Sequence, residues 1–358
     1  MTNYLLAGGG TAGHVNPLLA LAEYIRKHEP DSKIICLGTR EGLEAKLVPQ
    51  RGFALSVVER LPFPRRLNGY ALSFPMRFAR SVKTVEKLIR TEKIDVVVGF
   101  GGYASAPAYE AARKARVPIV IHEANALPGM ANRRGSKFAA ATAVAFRQAL
   151  SLNRSVLVGM PLRPEVEALN IASMRAKARA HFGLEVGTAT LLVTGGSLGA
   201  KRINETIEAS RTLLKAAGIQ VLHIMGDRSE LPAIEEPGYK RIAYCDRMDL
   251  AIASADIAIA RSGAATVSEF AALGLPAIYV PYPVGNGEQA LNAKDVCEAG
   301  GGRIVLDKDF DVAYVASEVI PLVSDHRQLK DMASKAASVG VLDGTKRLFE
   351  LVAGVLKG

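Results

Sequence analysis

The sequence predicts an α/β protein of two Rossmann-like domains, each built on a parallel sheet, that face each other across a cleft. Short apolar runs alternate with helical stretches along the whole chain, which is typical of parallel sheets covered by helices on both faces. Each half opens with a glycine-rich turn after its first strand. The length of 358 residues is sufficient for two domains, each with its own core.

The predicted domains are residues 1–160 and 161–342, and the amphipathic C-terminal helix at about 343–358 is expected to pack back on the first domain. We place the linker at 159–164, where Pro161 and Pro164 interrupt regular structure. The strand candidates of the first half are Tyr4–Ala7, Lys33–Leu37, Ala54–Val58, Ile94–Gly99, Pro118–Ile121, Ala141–Ala145 and Ser155–Val158. Those of the second half are Thr190–Thr194, Gln220–Met225, Arg241–Tyr244, Asp256–Ala260, Ala277–Val280 and Arg303–Val305.

Composition and cysteine spacing exclude several classes of protein. A hydrophobic fraction of 49% and a charged fraction of 22% are ordinary for a soluble globular chain. We expect neither a signal peptide nor a transmembrane segment, because the N-terminus lacks a charged leader and no apolar run reaches the roughly 18–20 residues of a spanning helix. Cys36, Cys245 and Cys297 match no metal or redox spacing.

The net charge of +10 is concentrated in one part of the chain. Residues 61–93 hold eight Lys or Arg against two Glu, interleaved with aromatic side chains and Met. One interpretation is a surface that binds anionic lipid, and the other is that these aromatics belong to the domain core. No pattern typical of nucleic-acid binding accompanies the charge, so we expect no nucleic-acid partner. The residues predicted to contact a membrane are Phe63, Arg65, Arg66, Phe74, Arg77, Phe78 and Arg80.

The segment Arg261–Glu269 is the strongest sign of a ligand. It links an apolar strand to a helix that ends near Gly274 and Pro276. A small-residue turn before a helix leaves backbone N–H groups and the positive end of the helix dipole facing the ligand, which suits a phosphate. Glu269 lies one to two turns further along and is placed to accept hydrogen bonds from a sugar diol. The segment therefore predicts a nucleotide held at its phosphates and its ribose.

The glycine turn of the first half ends in His14, and a helix is expected to begin near Pro17. A neutral imidazole there is suited to take a proton from an attacking hydroxyl, although it could instead simply hydrogen-bond the loop. His122, Glu123 and Asn125 follow another strand at its C-terminal end, where open α/β sheets build their sites. Glu123 is the second candidate for the base.

Further polar residues complete the predicted site. Tyr103 follows a third strand, where it could close the cleft or could simply be a loop aromatic. Ser197 in the second glycine turn and Arg163 in the linker are suited to bind phosphate. The amides of Gln289 and Asn292 are suited to sugar hydroxyls, with a helix N-terminus capped by Asn286 as the structural alternative.

These motifs, in this order, resemble the MurG family of N-acetylglucosaminyltransferases of peptidoglycan synthesis. The similarity spans nearly the whole chain. The motifs are Gly-Gly-Thr-Ala-Gly-His at 9–14, Gly-Gly-Tyr at 101–103, His-Glu-x-Asn at 122–125, Gly-Gly-Ser-x-Gly-Ala at 195–200, Arg-Ser-Gly-Ala-x-Thr-Val-Ser-Glu at 261–269 and Gln-x-x-Asn-Ala at 289–293.

The resemblance implies a GT-B fold and an inverting transfer of GlcNAc from UDP-GlcNAc to the muramyl 4-hydroxyl of lipid I, which yields lipid II. It also implies a peripheral protein at the cytoplasmic face of the cell membrane. The residues that the resemblance assigns to UDP-GlcNAc are Thr11, Ala12, Gly13, Asn125, Arg163, Ser197, Cys245, Ala264, Ala265, Thr266, Val267, Ser268, Glu269 and Gln289. Tyr103, His122 and Asn292 are assigned to the acceptor side or the cleft.

Two positions depart from the family pattern: Ala12 stands where many members have glycine, and Glu288 replaces an amide that some members have. The sequence lacks an Asp-x-Asp pair on a sugar-nucleotide loop, so we expect neither a metal nor any other cofactor. Two alternatives stay open at this point. One is a UDP-sugar epimerase of the same fold, and the other is a catalytically silent subunit that binds a nucleotide sugar.

Overall fold

The computed structural model describes residues 1–64, 66 and 68–358. The chain forms two compact units, Met1–Arg163 together with Asp343–Gly358, and Pro164–Leu342. The boundary therefore follows Arg163 rather than residue 160. The reason is packing, because Met160 and Leu162 are buried and the Leu162 carbonyl accepts a hydrogen bond from Thr345 Oγ1 at 3.5 Å.

The first unit is built on a parallel seven-stranded sheet with the order β3-β2-β1-β4-β5-β6-β7. Its strands are β1 (Asn3–Ala7), β2 (Lys33–Gly38), β3 (Ala54–Val57), β4 (Val96–Gly99), β5 (Ile119–Glu123), β6 (Ala141–Val144) and β7 (Ser155–Leu157). Its first helices are α1 (Ala12–His28), α2 (Glu44–Gln50), α3 (Gly69–Thr91), α4 (Ser105–Ala115) and α5 (Met130–Gly135), followed by a 3-10 helix at Arg147–Ser151.

Both faces of this sheet are buried, which explains why its strands are continuously apolar. Successive side chains of β1 alternate between two cores: Tyr4 and Leu6 pack on one face, while Leu5 and Ala7 pack on the other. The second face is covered by α3 and α4. The loops that follow the parallel strands therefore lie together at the carboxyl ends of the sheet.

The second unit has a seven-stranded sheet with the order β10-β11-β9-β8-β12-β13-β14. Its strands are β8 (Thr190–Thr194), β9 (Gln220–Ile224), β10 (Ile234–Glu236), β11 (Tyr239–Ile242), β12 (Ile257–Ala260), β13 (Ala277–Tyr279) and β14 (Gly302–Ile304). Its α-helices are α6 (Pro164–Glu167), α7 (Ile171–His181), α8 (Lys201–Ala209), α9 (Arg211–Ala216), α10 (Met248–Ser254), α11 (Ala264–Ala272), α12 (Glu288–Asn292), α13 (Lys294–Glu298), α14 (Val312–Tyr314), α15 (Ile320–Ser324) and α16 (His326–Val339). A 3-10 helix spans Asp307–Asp309, and a π-helical turn, Val315–Val319, joins α14 to α15.

Strand β10 is the one strand of the described residues that the sequence did not predict. It pairs antiparallel with β11 at the edge of the sheet, through Ile234 opposite Arg241 and Glu236 opposite Tyr239. Three residues with two adjacent glutamates, Glu235 and Glu236, give no apolar run that would reveal a strand. The other strand predictions match observed strands to within two residues at each end.

The C-terminal helix α17 (Gly344–Lys357) belongs to the first unit. Leu348 and Val352 are fully buried in the core that includes Tyr4 and Leu6, and α17 packs against α1. Burying each such side chain stabilises a fold by roughly 1.5–3 kcal/mol. Gly344 permits this approach, because a Cβ there would lie 2.4 Å from the Met160 carbonyl oxygen.

One helix begins earlier than predicted. Helix α1 starts at Ala12 rather than near Pro17, and Thr11 is its extended N-cap residue. Pro17 lies in the second turn, inside the helix, where it removes one backbone hydrogen bond. His14 therefore lies within the first helical turn, not in the loop before it.

Candidate active site

In the first unit, three predicted motifs meet at one edge of the sheet. Strands β1, β4 and β5 are neighbours and run parallel, so the segments that follow their carboxyl ends lie side by side. The predicted motifs there are 8–14, 101–103 and 122–125, the last of which includes the final two residues of β5. The structure thus brings together His14, Tyr103, Glu123 and Asn125.

His14 is held by the glycine turn that precedes it. Its Nδ1 lies 3.1 Å from the Gly9 carbonyl oxygen and 3.4 Å from Thr11 Oγ1. A carbonyl oxygen only accepts hydrogen bonds, so this contact places the proton of the neutral ring on Nδ1. Nε2 then carries the lone pair that a general base needs. A methyl group at Gly101 would lie 3.1 Å from Nε2, which puts the 101–103 loop next to the reactive nitrogen.

The 101–103 loop requires its glycines. Gly101 and Gly102 have φ values of +92° and +83°, a region that other residues rarely adopt. A Cβ at Gly102 would also lie 2.3 Å from the Gly9 carbonyl oxygen. Tyr103 is half-buried, with the Arg60 guanidinium 5.0 Å from its ring centroid.

The Glu123 carboxyl group organises the neighbouring loop. It is 2% exposed and accepts hydrogen bonds from the backbone N–H groups of Asn125 (2.9 Å) and Gly129 (3.0 Å) and from Asn132 Nδ2 (2.9 Å). Tyr109 donates in turn to Asn132 Oδ1 at 2.7 Å. This geometry favours a positioning role for Glu123 over proton transfer, because its oxygens are already occupied. This network positions Asn125, whose side chain is half-buried, just after the carboxyl end of β5.

His122 is buried within the first unit. It is the penultimate residue of β5, fully buried, and its Nε2 lies 3.0 Å from the Gly159 carbonyl oxygen, to which it donates. Burial lowers the pKa of His122 to about 4, against the opposing effect of the Gly159 hydrogen bond, so the ring is neutral near pH 7. The structure shows this contact with the backbone of the first unit, and the role of His122 toward the acceptor stays a prediction.

In the second unit, the second glycine turn and the 261–263 turn lie side by side. They follow the adjacent parallel strands β8 and β12, and the Arg261 N–H donates to the Thr194 carbonyl at 3.4 Å. Ser197 is exposed in its turn, and its carbonyl accepts a hydrogen bond from the Asp227 N–H at 3.0 Å. The turn that carries Ser197 thus follows the strand next to the one that leads into α11.

Helix α11 starts at Ala264 after Gly263, which has an extended backbone and no side chain to cap the first N–H groups. The first-turn N–H groups of a helix have no partner within it, so this end remains open to an anion. Ala264 and Val267 are buried, whereas the side chains of Ala265, Thr266, Ser268 and Glu269 are half-buried.

The Arg261 side chain stabilises this turn and is not free to bind a ligand. Its Nη1 donates to the carbonyl oxygens of Val280 (3.0 Å) and Pro281 (3.1 Å), and it forms an ion pair with Asp307 at 2.6 Å. The Arg261 guanidinium thus links the segments that follow β12 and β13.

Gln289 and Asn292 differ in exposure and in the hydrogen bonds that their side chains form. Gln289 is half-buried, and its Oε1 accepts a hydrogen bond from the Tyr282 N–H at 3.0 Å. Asn292 is 1% exposed, and its Nδ2 donates to the Ser262 carbonyl at 3.2 Å. Asn292 therefore supports the turn before α11, and its assignment to the cleft stays a prediction. Cys245 follows β11 and is 8% exposed.

The predicted site residues divide between the two units. Thr11, Ala12, Gly13, His14, Tyr103, His122, Glu123, Asn125 and Arg163 belong to the first, and the others, from Ser197 to Asn292, belong to the second. Sequence reasoning missed Asn132, whose partner Glu123 is nine residues away on another element. A polar residue on a short helix just after a predicted site loop is the only sequence signal for it.

The chain matches known proteins along nearly its whole length. Residues 4–144 match the model for the glycosyltransferase family 28 N-terminal domain, and residues 190–348 match that for the family 28 C-terminal domain. A protein of Leifsonia xyli subsp. xyli is 56% identical over 352 residues, which cover 98% of each chain. It is named UDP-N-acetylglucosamine–N-acetylmuramyl-(pentapeptide) pyrophosphoryl-undecaprenol N-acetylglucosamine transferase.

Solved structures establish the fold as GT-B. The crystal structure of Acinetobacter baumannii MurG aligns with a TM-score of 0.78 at 24% identity, covering 99% of this chain and 100% of that one. A putative UDP-N-acetylglucosamine 2-epimerase from Listeria monocytogenes aligns with a TM-score of 0.68 at 13% identity, covering 99% and 96%. The epimerase shares the fold alone, so the comparisons do not favour the epimerase alternative. With a relative that is 56% identical over its full length, this chain belongs to the MurG family of N-acetylglucosaminyltransferases.

Proposed function

We propose that this chain transfers GlcNAc from UDP-GlcNAc to the muramyl 4-hydroxyl of undecaprenyl-pyrophosphoryl-MurNAc-pentapeptide, with inversion at the anomeric carbon. Family membership supports the substrates, since the relatives carry this reaction in their name. The observation that carries the mechanism is the His14 ring, held at Nδ1 by the Gly9 carbonyl with Nε2 left to accept a proton.

In the proposed step, His14 Nε2 takes the proton of the acceptor hydroxyl as its oxygen attacks the anomeric carbon of GlcNAc. The new C–O bond forms on the face opposite the leaving group, which inverts the configuration. The bond from the anomeric carbon to the β-phosphate oxygen breaks, and its electron pair leaves with UDP. A positioned base of this kind contributes about 10²–10⁴-fold to the rate.

The departing pyrophosphate needs positive charge or hydrogen-bond donors. The open N-terminus of α11 and the Ser197 hydroxyl are suited to supply them, with Glu269 on the ribose. We propose that this arrangement replaces a metal ion, so that the transfer needs no metal or other cofactor. Turnover that is unchanged in excess EDTA is the expected result, and loss restored by Mg²⁺ or Mn²⁺ would contradict it.

The test of the function is incubation with labelled UDP-GlcNAc and a short-chain lipid I analogue, followed by separation of the products. We expect label in a disaccharide lipid, and no such product when the acceptor is omitted. His14→Ala should lower kcat by roughly 10²–10⁴-fold and leave the Kd for UDP-GlcNAc nearly unchanged. A kcat close to that of the wild type would remove His14 as the base.

We further propose that the first unit binds the anionic inner face of the cytoplasmic membrane as a peripheral protein. The charge is divided unequally: the first unit holds 27 Lys and Arg against 13 Asp and Glu, whereas the second holds 18 against 22. The net charges of +14 and −4 direct the first unit to an anionic surface. Among the described residues, no helix is long and apolar enough to cross a membrane.

The first residues of α3 support a membrane-binding surface here, but its exposed apolar side chains are not all the predicted ones. Phe74 and Phe78 are half-buried and stacked, with ring centroids 6.0 Å apart, and Phe78 packs against the core. The outward apolar side chains are Phe63, Leu72 and Met76, which are 62%, 83% and 63% exposed. Buried residues of α3 begin only at Ser81, so its first three turns are more exposed than the rest of the helix, although Phe78 contacts the core.

The basic residues of this surface also divide into two kinds. Arg66 and Arg80 are exposed, together with Lys83 and Lys87 further along α3. Arg77 is held by Glu59, to which its Nε donates at 2.9 Å. Arg65 was also predicted to contact the membrane, and it lies outside the described residues.

The membrane proposal is tested by sedimentation with vesicles that contain anionic phospholipid. Leu72→Gln combined with Met76→Gln should reduce the bound fraction several-fold, because both side chains lose their apolar contact with lipid. The matched control is Val186→Gln in the second unit, where the side chain is 63% exposed. Equal binding by the double variant and the control would contradict the membrane role of α3.

A further inference from the structure

A buried carboxyl group lies beneath the first glycine turn. Glu44 lies at the start of α2, 30 residues from His14 in the sequence, and its side chain is fully buried. Its Oε2 accepts a hydrogen bond from the Gly10 N–H at 2.8 Å. Its Oε1 accepts from the N–H and the Oγ1 of Thr39, both at 2.8 Å. Three donors thus satisfy a charge that is otherwise costly to bury.

Three glycines make room for this carboxyl group. A Cβ at Gly9 would lie 2.2 Å from Glu44 Oε1, and one at Gly42 would lie 2.1 Å from Oε2. A Cβ at Gly38 would lie 2.3 Å from Glu44 Cγ. The three positions come from the first glycine turn, the end of β2 and the loop before α2. Segments from three parts of the chain therefore enclose one side chain.

The peptide group between Gly9 and Gly10 joins this carboxyl group to His14. A trans peptide is planar, and its C=O and N–H point in opposite directions. The chain contains no cis peptide bond among its described residues. On one side the Gly10 N–H donates to Glu44, and on the other the Gly9 carbonyl lies 3.1 Å from His14 Nδ1. Glu44 thus fixes the orientation of this peptide plane, and His14 contacts the carbonyl on its other side.

We propose that Glu44 is a positioning residue for the transfer reaction, acting on His14 through the Gly9–Gly10 peptide. This inference rests on the proposed function of His14 as the base. By fixing the peptide plane, Glu44 keeps the Gly9 carbonyl on Nδ1 and Nε2 free to take the proton. A carboxylate on the N–H also polarises the peptide, which strengthens the hydrogen bond from Nδ1 as the ring becomes positively charged.

The experiment compares two variants that each remove one hydrogen bond from the same carboxyl group. In Glu44→Gln, Oε1 keeps its contacts with Thr39, and the new NH₂ group faces the Gly10 N–H, so the contact with the turn is lost. In Thr39→Val, the Oγ1 donor is lost and the contact with the turn remains. We expect kcat to fall at least tenfold in Glu44→Gln and to stay within about twofold in Thr39→Val, with the Kd for UDP-GlcNAc unchanged in both.

A double variant separates positioning from a general structural effect. In a His14→Ala background, Glu44→Gln should lower the residual kcat by less than twofold, because the residue it positions is gone. An equal loss of kcat in both backgrounds, or equal kcat losses in Glu44→Gln and Thr39→Val, would overturn the proposal. If the wild type transfers no GlcNAc, the proposed function fails instead, so the two failures are distinguishable.

One measurement on the wild-type enzyme needs no variant. Nitrogen-15 NMR of labelled histidine assigns the tautomer of the neutral His14 ring. The proposal requires the proton on Nδ1, and a ring protonated on Nε2 would overturn it.

Discussion

The buried His122 makes the stability of the first unit depend on pH. Burial lowers its pKa to about 4 in the folded chain, whereas the unfolded value is about 6.5. A histidine with a depressed folded pKa contributes stability above the unfolded pKa. That stability is lost as the pH falls, because the unfolded chain binds the proton and the folded chain does not. The loss begins near pH 6.5 and ends near pH 4.

The magnitude follows from the two pKa values. Between pH 7.5 and pH 4.5, His122 should cost the folded state roughly 2–3 kcal/mol, at about 1.4 kcal/mol for each pH unit in the window. His122→Gln is the matched variant, because its amide nitrogen replaces the donor to the Gly159 carbonyl and does not titrate. The variant should therefore lack this part of the pH dependence.

The assay is hydrogen exchange measured by mass spectrometry, with peptides that cover β5. The opening free energy of these peptides, corrected for the intrinsic effect of pH on exchange, is compared at pH 7.5, 6.0 and 4.5. We expect the wild type to lose roughly 2–3 kcal/mol more than His122→Gln over this range. Equal pH dependence in the two proteins would refute the reasoning.

Two further predictions concern the second unit. Glu269→Ala should weaken UDP-GlcNAc binding by about 10–100-fold in calorimetry, since a hydrogen bond to a charged group is worth about 1.5–3 kcal/mol; unchanged affinity would remove the ribose role. The Tyr279 hydroxyl is fully buried and has no hydrogen-bond partner among the described residues, so Tyr279→Phe should leave stability unchanged or raise it by up to about 1 kcal/mol, and a loss above that size on urea denaturation would contradict this.

The regular part of the fold was predictable from local patterns. Strands such as Thr190–Thr194 are fully buried runs, and buried parallel strands are continuously apolar whatever their neighbours. The exceptions have local causes. Strand β10 carries two glutamates at a sheet edge, and α1 begins in a glycine-rich segment whose helix propensity is low.

The candidate site was predictable where chemistry follows from position along a strand. His14 and Ser197 lie in segments that follow strands, as predicted, and Glu123 is the last residue of β5. Sequence could not separate residues that face a ligand from those that support them, since burial is decided by tertiary contacts. His122 and Asn292 resemble ligand contacts in sequence, yet both are buried against backbone carbonyls. Glu44 carried no signal, because its contact with Gly10 spans 34 residues.

The most direct test of the account is the configuration of the product made from UDP-GlcNAc and a lipid I analogue, determined by proton NMR of the isolated material. The account predicts a GlcNAc–MurNAc disaccharide joined at the muramyl 4-oxygen, with the anomeric configuration inverted relative to the donor. A disaccharide with retained configuration, or conversion of UDP-GlcNAc to another UDP-sugar without transfer, would contradict it.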